Sequence, residues 1–236
     1  MKIIATSDLH GSLPEIPPCD IAIIAGDVCP VWDHAVRFQL EWLDKVFRPW
    51  LEKIEANYVV GIAGNHDFVF EKWADAVDEL GLPWTYLKDE GLPFLNFGET
   101  GVTALKIYGT PWVPNLSYWA FHDDDAGLDA RFAAIPENTD IVVSHGPPMG
   151  YCDLTVPKFG SVHAGFPGTN DMLERVKPKA LICGHIHEGY GVAKHPSGAT
   201  IYNVSHNTEN YKPINDPLVV RLDGTVPDWI PPHGSY

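Results

Sequence analysis

At 236 residues and 45% hydrophobic content, the chain can bury a substantial core, and residues 1–236 read as a single domain with a peripheral tail from about 227 to 236. Its 16 basic and 31 acidic residues give a formal charge of −15, which disfavours condensation on DNA, RNA or anionic lipid. Four cysteines without a CxxC pair, no N-terminal leader and no apolar run near the roughly 18 residues that span a bilayer predict a soluble, cytoplasmic protein with buried thiols.

Along the chain, short apolar runs at Lys2–Ser7 and Ile21–Ala25 read as strands buried on both faces. A helix is predicted from Asp33, its candidate cap, to about Ala56, with Val36, Leu40, Leu43, Phe47 and Ile54 at helical spacing and a kink at Arg48-Pro49. A strand at Tyr58–Ala63 and a helix at Glu71–Leu80, stopped by Gly81, come next. Thr85–Leu87, Phe94–Phe97 and Val102–Tyr108, punctuated by Gly91, Gly98 and Gly101, read as an antiparallel meander. After a strand at Ile141–Ser144, the Gly/Pro-rich stretch Gly146–Gly168 has the length of a loop that is usually functional or disordered. A helix at Thr169–Val176 and strands at Ala180–Cys183 and Thr200–Val204 complete the pattern. Strands alternating with helices predict an α/β layered domain with a pair of mixed sheets.

Polar residues stand at the end of strand after strand: Asp8 and His10, then Asp27, then Asn65-His66-Asp67, then His145, then His185 and His187. In α/β sheets the carboxyl ends of the strands form the rim where ligands bind, so five strands would deliver these groups to one edge. Carboxylate, imidazole and amide oxygen without thiolate suit Mn, Fe, Zn or Ni, and the set is too rich in nitrogen for a Mg or Ca cage. Gly26, Gly64 and Gly184 each directly precede one of the candidate ligands, where a missing Cβ lets the chain turn sharply and approach a metal.

Asp8-Leu-His10, Gly26-Asp27, Gly64-Asn65-His66-Asp67, Ser144-His145-Gly146 and Gly184-His185-Ile-His187 together resemble the full signature of the calcineurin-like metallophosphoesterases. The flanking Gly109-Thr-Pro-Trp112, Thr139–Pro148 and Cys183–Gly191 segments are similar to the metallophosphoesterase domain-containing branch. The resemblance implies a four-layer α-β-β-α sandwich of mixed sheets and two divalent metal ions, Mn foremost, with Fe, Zn or Ni as alternatives. It assigns Asp8, His10 and His187 to one ion, Asn65, His145 and His185 to the other, and Asp27 to a bridge between them. His66 would act as acid or charge stabiliser beside the phosphate, oriented by Asp67. Two such ions about 3.5–4 Å apart would lower the pKa of a bridging water from about 15.7 towards about 7, supplying a hydroxide for in-line attack.

The implied activity is hydrolysis of phosphate esters, foremost as a phosphodiesterase on small nucleotide-like or cyclic nucleotide substrates. Phosphomonoesterase, nuclease and non-catalytic scaffold are the alternatives, and the acidic balance argues against long nucleic acid. Val28-Cys-Pro-Val-Trp32 lacks the Asp-Arg-Gly that protein Ser/Thr phosphatases carry after this aspartate, which disfavours a protein substrate. His34, His122, His163, His195, His206 and His233 lie outside the blocks and read as surface or satisfied core residues. The run His122–Asp125 reads as a solvated loop or helix cap, and strand-end turns account for Asn203, Ser205 and Asn207 as well as a border on the site would. Trp112, Tyr118, Trp119, Phe159 and Tyr190 lie in loops near the motifs, as candidates for base stacking or as lids on the core.

Overall fold

The structure, a computed structural model, describes residues 1–98, 101–114, 116–156 and 160–225. Phe159, His233 and the predicted tail at 227–236 lie outside the described residues. The apolar runs form the strands β1 (Ile3–Thr6), β2 (Cys19–Ala25), β3 (Ala56–Ile62), β4 (Thr85–Tyr86), β5 (Glu90–Gly98) and β6 (Gly101–Thr110). They continue as β7 (Ile141–Ser144), β8 (Ala180–Cys183), β9 (Gly191–Lys194), β10 (Thr200–Asn203) and β11 (Leu218–Val220).

Two sheets result. The first has the order β11-β1-β2-β3-β4, parallel except for β11, and the second β9-β10-β8-β7-β6-β5, parallel between β10 and β6 with antiparallel edges. Ile3, Ile23 and Ile62 of the first sheet pack against Ile141, Ile182 and Tyr202 of the second to make the central core. The outer face of the first sheet, through Ile24, packs on Leu43, Phe47 and Val69 of its helices. Val142, Leu181 and Ile201 on the outer face of the second pack on Leu128, Phe132, Met172 and Leu173. These three apolar layers make the four-layer α-β-β-α sandwich. Because both faces of each sheet are covered, the central strands are apolar throughout and show no alternation.

Several expectations change. Asp33 does not cap its helix: its Oδ1 accepts from the Ala35 N–H at 2.8 Å, and the helix begins behind Ala35 at Val36. It widens into a π-helical turn at Leu43–Phe47 directly before Arg48-Pro49, where proline has no N–H to donate, and ends at Leu51. The helix expected at Glu71–Leu80 is two short ones, Phe68–Lys72 and Ala74–Leu80, broken at Trp73 (φ −132°, ψ 44°). Thr85–Tyr86 leaves the supposed meander and joins the first sheet beside β3, so only β5 and β6 form the hairpin. A helix at Asp125–Ala134 has no counterpart among the predicted elements; Asp124 caps it by accepting the Gly127 N–H at 2.8 Å. The 146–168 stretch is pinned by Asp153, whose buried carboxylate takes the Gly150 and Gly165 N–H groups and His163 Nδ1.

Ile182→Ala, at the centre of the inter-sheet core, should cost about 3 kcal/mol, against about 1 kcal/mol for loss of the cap in Asp124→Ala. Urea denaturation checks both values, and equal costs would contradict this division between core and surface.

Candidate metal centre

The site lies where the carboxyl ends of the two sheets meet. Asp8, Asp27 and Asn65 follow β1, β2 and β3; His145 and the pair His185/His187 follow β7 and β8. Asp8, His10, Asp27 and His185 adopt left-handed backbone angles, with φ of 51°, 46°, 52° and 66°. Each such residue costs about 1–2 kcal/mol, a strain found where side chains are aimed at a function. Backbone bonds between the loops after β1 and β2 offset it: Asp8 N–H donates to Gly26 O at 3.0 Å and His10 N–H to Asp27 O at 2.9 Å.

Two imidazoles are locked by their outer nitrogens. His145 Nδ1 donates to Ala25 O at 2.9 Å and His187 Nδ1 to Thr208 O at 2.8 Å, so each turns Nε2 inward. Inside, His145 Nε2 lies 3.3 Å from Asp27 Oδ2 and 3.1 Å from Asn65 Oδ1. His187 Nε2 lies 3.3 Å from Asp8 Oδ1 and 3.1 Å from His10 Nε2. Asp27 Oδ2 links the two halves, since it is also 3.7 Å from His10 Nε2. His185 stands farther out, its ring centroid 5.1 Å from that of His145.

Lone pairs thus face lone pairs in a buried cluster, an arrangement that is favourable only with positive charge among them. The residues fit a metal on that ground. With the protein alone, protons fill the need: burial opposes charge on His145 and His187, but the adjoining Asp27 and Asp8 outweigh it and push both imidazoles up to about 9. Burial likewise works against Asp8 and Asp27, yet His187 and His145 hold the two carboxyls below the usual range. Burial lowers His10 and His185 to about 3, leaving them neutral donors of a lone pair.

The surroundings include residues that sequence patterns did not single out. Ser7 Oγ donates to Asp8 Oδ2 at 2.6 Å, Ser205 Oγ lies 2.8 Å from the same oxygen, and the His185 N–H reaches the carboxylate at 3.0 Å. Asn207 Nδ2 donates to Asp8 O and Leu9 O, and Asn203 Nδ2 to Ile186 O at 2.8 Å. Ser205 and Asn207 therefore hold the Asp8 loop, Asn203 holds the loop after β8, and all three are more than strand-end turns. Tyr211, whose ring centroid is 5.0 Å from that of His10, has no local signature at all.

Among the loop aromatics, Trp119 reaches the site, 4.3 Å from the His66 ring. Trp112 instead donates to Asp89 and lies under Arg131, Tyr190 is buried and donates to Asp216 O, and Tyr118 is exposed. His34, expected to be a bystander, has its Nε2 3.1 Å from His66 Nδ1. The expectation that Asp67 orients His66 is corrected: its carboxylate accepts the Val28, Cys29 and Gly64 N–H groups at 3.1, 2.8 and 2.8 Å, which joins the loops after β2 and β3. Burial and the nearby Asp27 push Asp67 up to about 6, against the downward pull of those bonds. The glycines before the ligands also differ in purpose. Gly26 turns with φ of 98°, whereas at Gly64 and Gly184 a Cβ would fall on Asp27 and Asp8.

Gly64→Ala should displace Asp27 and weaken metal uptake at least about tenfold with the far-UV circular dichroism unchanged; normal uptake would show the close approach to be dispensable. Asp67→Ala, which strands three buried N–H groups, should lower stability in urea by about 3 kcal/mol or more.

Residues 1–189 match the calcineurin-like phosphoesterase family. The chain is 32% identical over 241 residues to metallophosphoesterase domain-containing protein 1 of Homo sapiens, covering 94% of this chain and 71% of that protein. Among solved structures, TT1561 of Thermus thermophilus aligns over 86% of this chain and 88% of its own, with a TM-score of 0.53 and 11% identity. GAP50, the anchor in the inner membrane complex of Plasmodium, aligns over 92% and 75%, with a TM-score of 0.55 and 10% identity. The two structures share the fold, and the family match extends to the strand-end motifs: this chain belongs to the calcineurin-like phosphoesterase family.

Proposed function

We propose that this chain is a dinuclear metal-dependent phosphoesterase, acting foremost as a phosphodiesterase on small nucleotide-like or cyclic nucleotide substrates. The observation that carries the reading is the shared carboxylate: Asp27 Oδ2 lies between His10 Nε2 at 3.7 Å and His145 Nε2 at 3.3 Å, joining two sets of inward lone pairs. Asp8, His10 and His187 would hold one ion, Asn65, His145 and His185 the other, with Asp27 common to both. Manganese is the ion proposed first, with Fe, Zn or Ni accepted by the same donors. When bound, such ions polarise phosphoryl oxygens and bring the pKa of a bound water from about 15.7 towards about 7.

The protein's own groups do the rest. Ala25 O and Thr208 O keep the His145 and His187 rings turned inward. His66 lines the cleft with a ring nitrogen close enough to His10 and Asp27 to share a metal with them, but in this reading it would stand outside both ligand sets as acid or charge stabiliser for the leaving oxygen, a role worth roughly 10²–10⁴-fold in rate. The cleft, of about 260 Å³ and bordered by Trp119 and Tyr211, suits the phosphate and part of a small ester. Glu188 and Glu209 on its rim favour a singly charged diester over a doubly charged monoester. The acidic surface supports the exclusion of long nucleic acid. Among the described residues no helix is long and apolar enough to cross a membrane, and all four cysteines are free, which accords with a reducing, cytoplasmic setting.

Hydrolysis of bis(p-nitrophenyl) phosphate with Mn²⁺ tests the reading, and absence of turnover with every divalent metal would leave a metal-binding scaffold in its place. His66→Ala should lower kcat about 10²-fold or more with metal content unchanged, while Asp27→Ala should lose metal as well. Equal metal loss in both would make His66 a ligand.

A further inference from the structure

His66 is held at three points. Its N–H donates to Asp27 Oδ1 at 2.8 Å, its carbonyl accepts from Gln39 Nε2 at 2.7 Å, and its Nδ1 lies 3.1 Å from His34 Nε2. The first two fix the backbone; only the third acts on the ring. Among the described residues no other side chain is hydrogen-bonded to that ring, and Asp67, its sequence neighbour, is occupied by backbone N–H groups of two loops. His34 is itself packed in place, its centroid 5.4 Å from that of Phe68 and 5.3 Å from that of Trp119. Trp119 in turn lies 4.3 Å from His66, so the three rings form one cluster at the edge of the cleft.

A neutral imidazole carries one N–H and one lone pair, so a contact between two imidazoles has a direction. If His34 Nε2 donates, His66 Nδ1 is the acceptor and the His66 proton resides on Nε2, the nitrogen without a partner among the described residues. If His66 Nδ1 donates instead, Nε2 is bare and has no proton to give. The two arrangements differ in whether His66 can donate a hydrogen bond to a leaving oxygen.

We infer that His34 is a positioning residue for His66, donating through Nε2 to His66 Nδ1 and so fixing the ring plane and the tautomer in which His66 Nε2–H faces the leaving oxygen of the ester. The inference rests on the phosphoesterase reading for its chemical purpose and for the direction given to the hydrogen bond, while the contact and the ring packing stand without it. In the step served, the phosphorus–oxygen bond to the leaving group breaks, the electron pair goes to that oxygen, and the His66 Nε2–H donates a hydrogen bond to the charge that develops there, the imidazole keeping its proton and the leaving oxygen taking one from water. A leaving group that is already a stable anion gains little from this hydrogen bond, whereas a poor one depends on it.

The test uses His34→Phe, which keeps the packing but not the hydrogen bond, and His34→Gln, which keeps an N–H donor. Both are assayed on the full-length metal-loaded protein with methyl aryl phosphates bearing p-nitrophenol or unsubstituted phenol as leaving group. In His34→Phe the ratio of kcat for the nitrophenyl ester to that for the phenyl ester should rise about tenfold or more, with metal content and KM unchanged. His34→Gln should stay within about threefold of the original ratio, because it restores the donor. A loss of rate shared equally by the two esters, or no loss in His34→Phe, would overturn the assignment. A second readout does not depend on activity: ¹⁵N-histidine spectra of the zinc-loaded protein should show His66 protonated at Nε2 in the native chain and in His34→Gln, with that preference lost in His34→Phe. A native His66 protonated at Nδ1 would overturn it. If the native protein hydrolyses neither ester, the phosphoesterase reading fails, and the spectra alone decide what His34 does.

Discussion

Two carboxylates, Asp8 and Asp27, sit fully buried at the seam between the sheets, and the arrangement of everything near them follows from having to solvate them without water. Asp8 belongs to the first sheet, but the groups that satisfy it come largely from the second: the His185 N–H after β8 and Ser205 after β10. Asp27 is bound by the His66 N–H within its own sheet and faces His145 of the other. The carboxylates therefore tie the two sheets together at the end where their strands stop. Breaking a buried pairing of this kind costs about 3–5 kcal/mol, comparable with the loss of a large core side chain.

Such solvation is strict about direction, and the backbone bears the consequence. Four ligand positions take the left-handed conformation, and the loops after β1 and β2 are held in register by bonds from Asp8 N–H to Gly26 O and from His10 N–H to Asp27 O. Asp67 does the same between the loops after β2 and β3, and Asn207 between the β1 loop and the segment following β10. The loops are fixed to one another before any ion is considered, so the candidate metal donors are held close to place in advance. Preorganisation of this sort raises affinity by reducing what must be ordered on binding.

The chemistry then divides by nitrogen. His145 and His187 have their outer nitrogens committed to backbone carbonyls and are each left with a single lone pair for a cation, whereas the buried Nδ1 of His10 has no partner. His66 differs, because its committed nitrogen faces another imidazole, that of His34. That contact distinguishes His66 from the candidate ligands beside it.

Residue order alone was enough for the central strands and for the polar groups that end them. Ile141–Ser144 and Ala180–Cys183 stand out because a strand covered on both faces must be apolar throughout, and the polar residue that ends such a run marks the sheet edge. What local order could not carry was any contact between positions far apart in the chain. Thr85–Tyr86 joins one sheet rather than the other through pairing with β3, the Asp125–Ala134 helix has a weak apolar stripe, and the pairing of His34 with His66 spans 32 positions. Asp67 shows the difference most plainly. The family resemblance implied that it would orient His66, but its oxygens reach backbone N–H groups 38 and 39 residues away. Composition and spacing settle which groups reach the rim, because burial and strand length are local properties; the partner of each group is settled by the folded packing, because a hydrogen bond between distant loops leaves no periodicity along the chain.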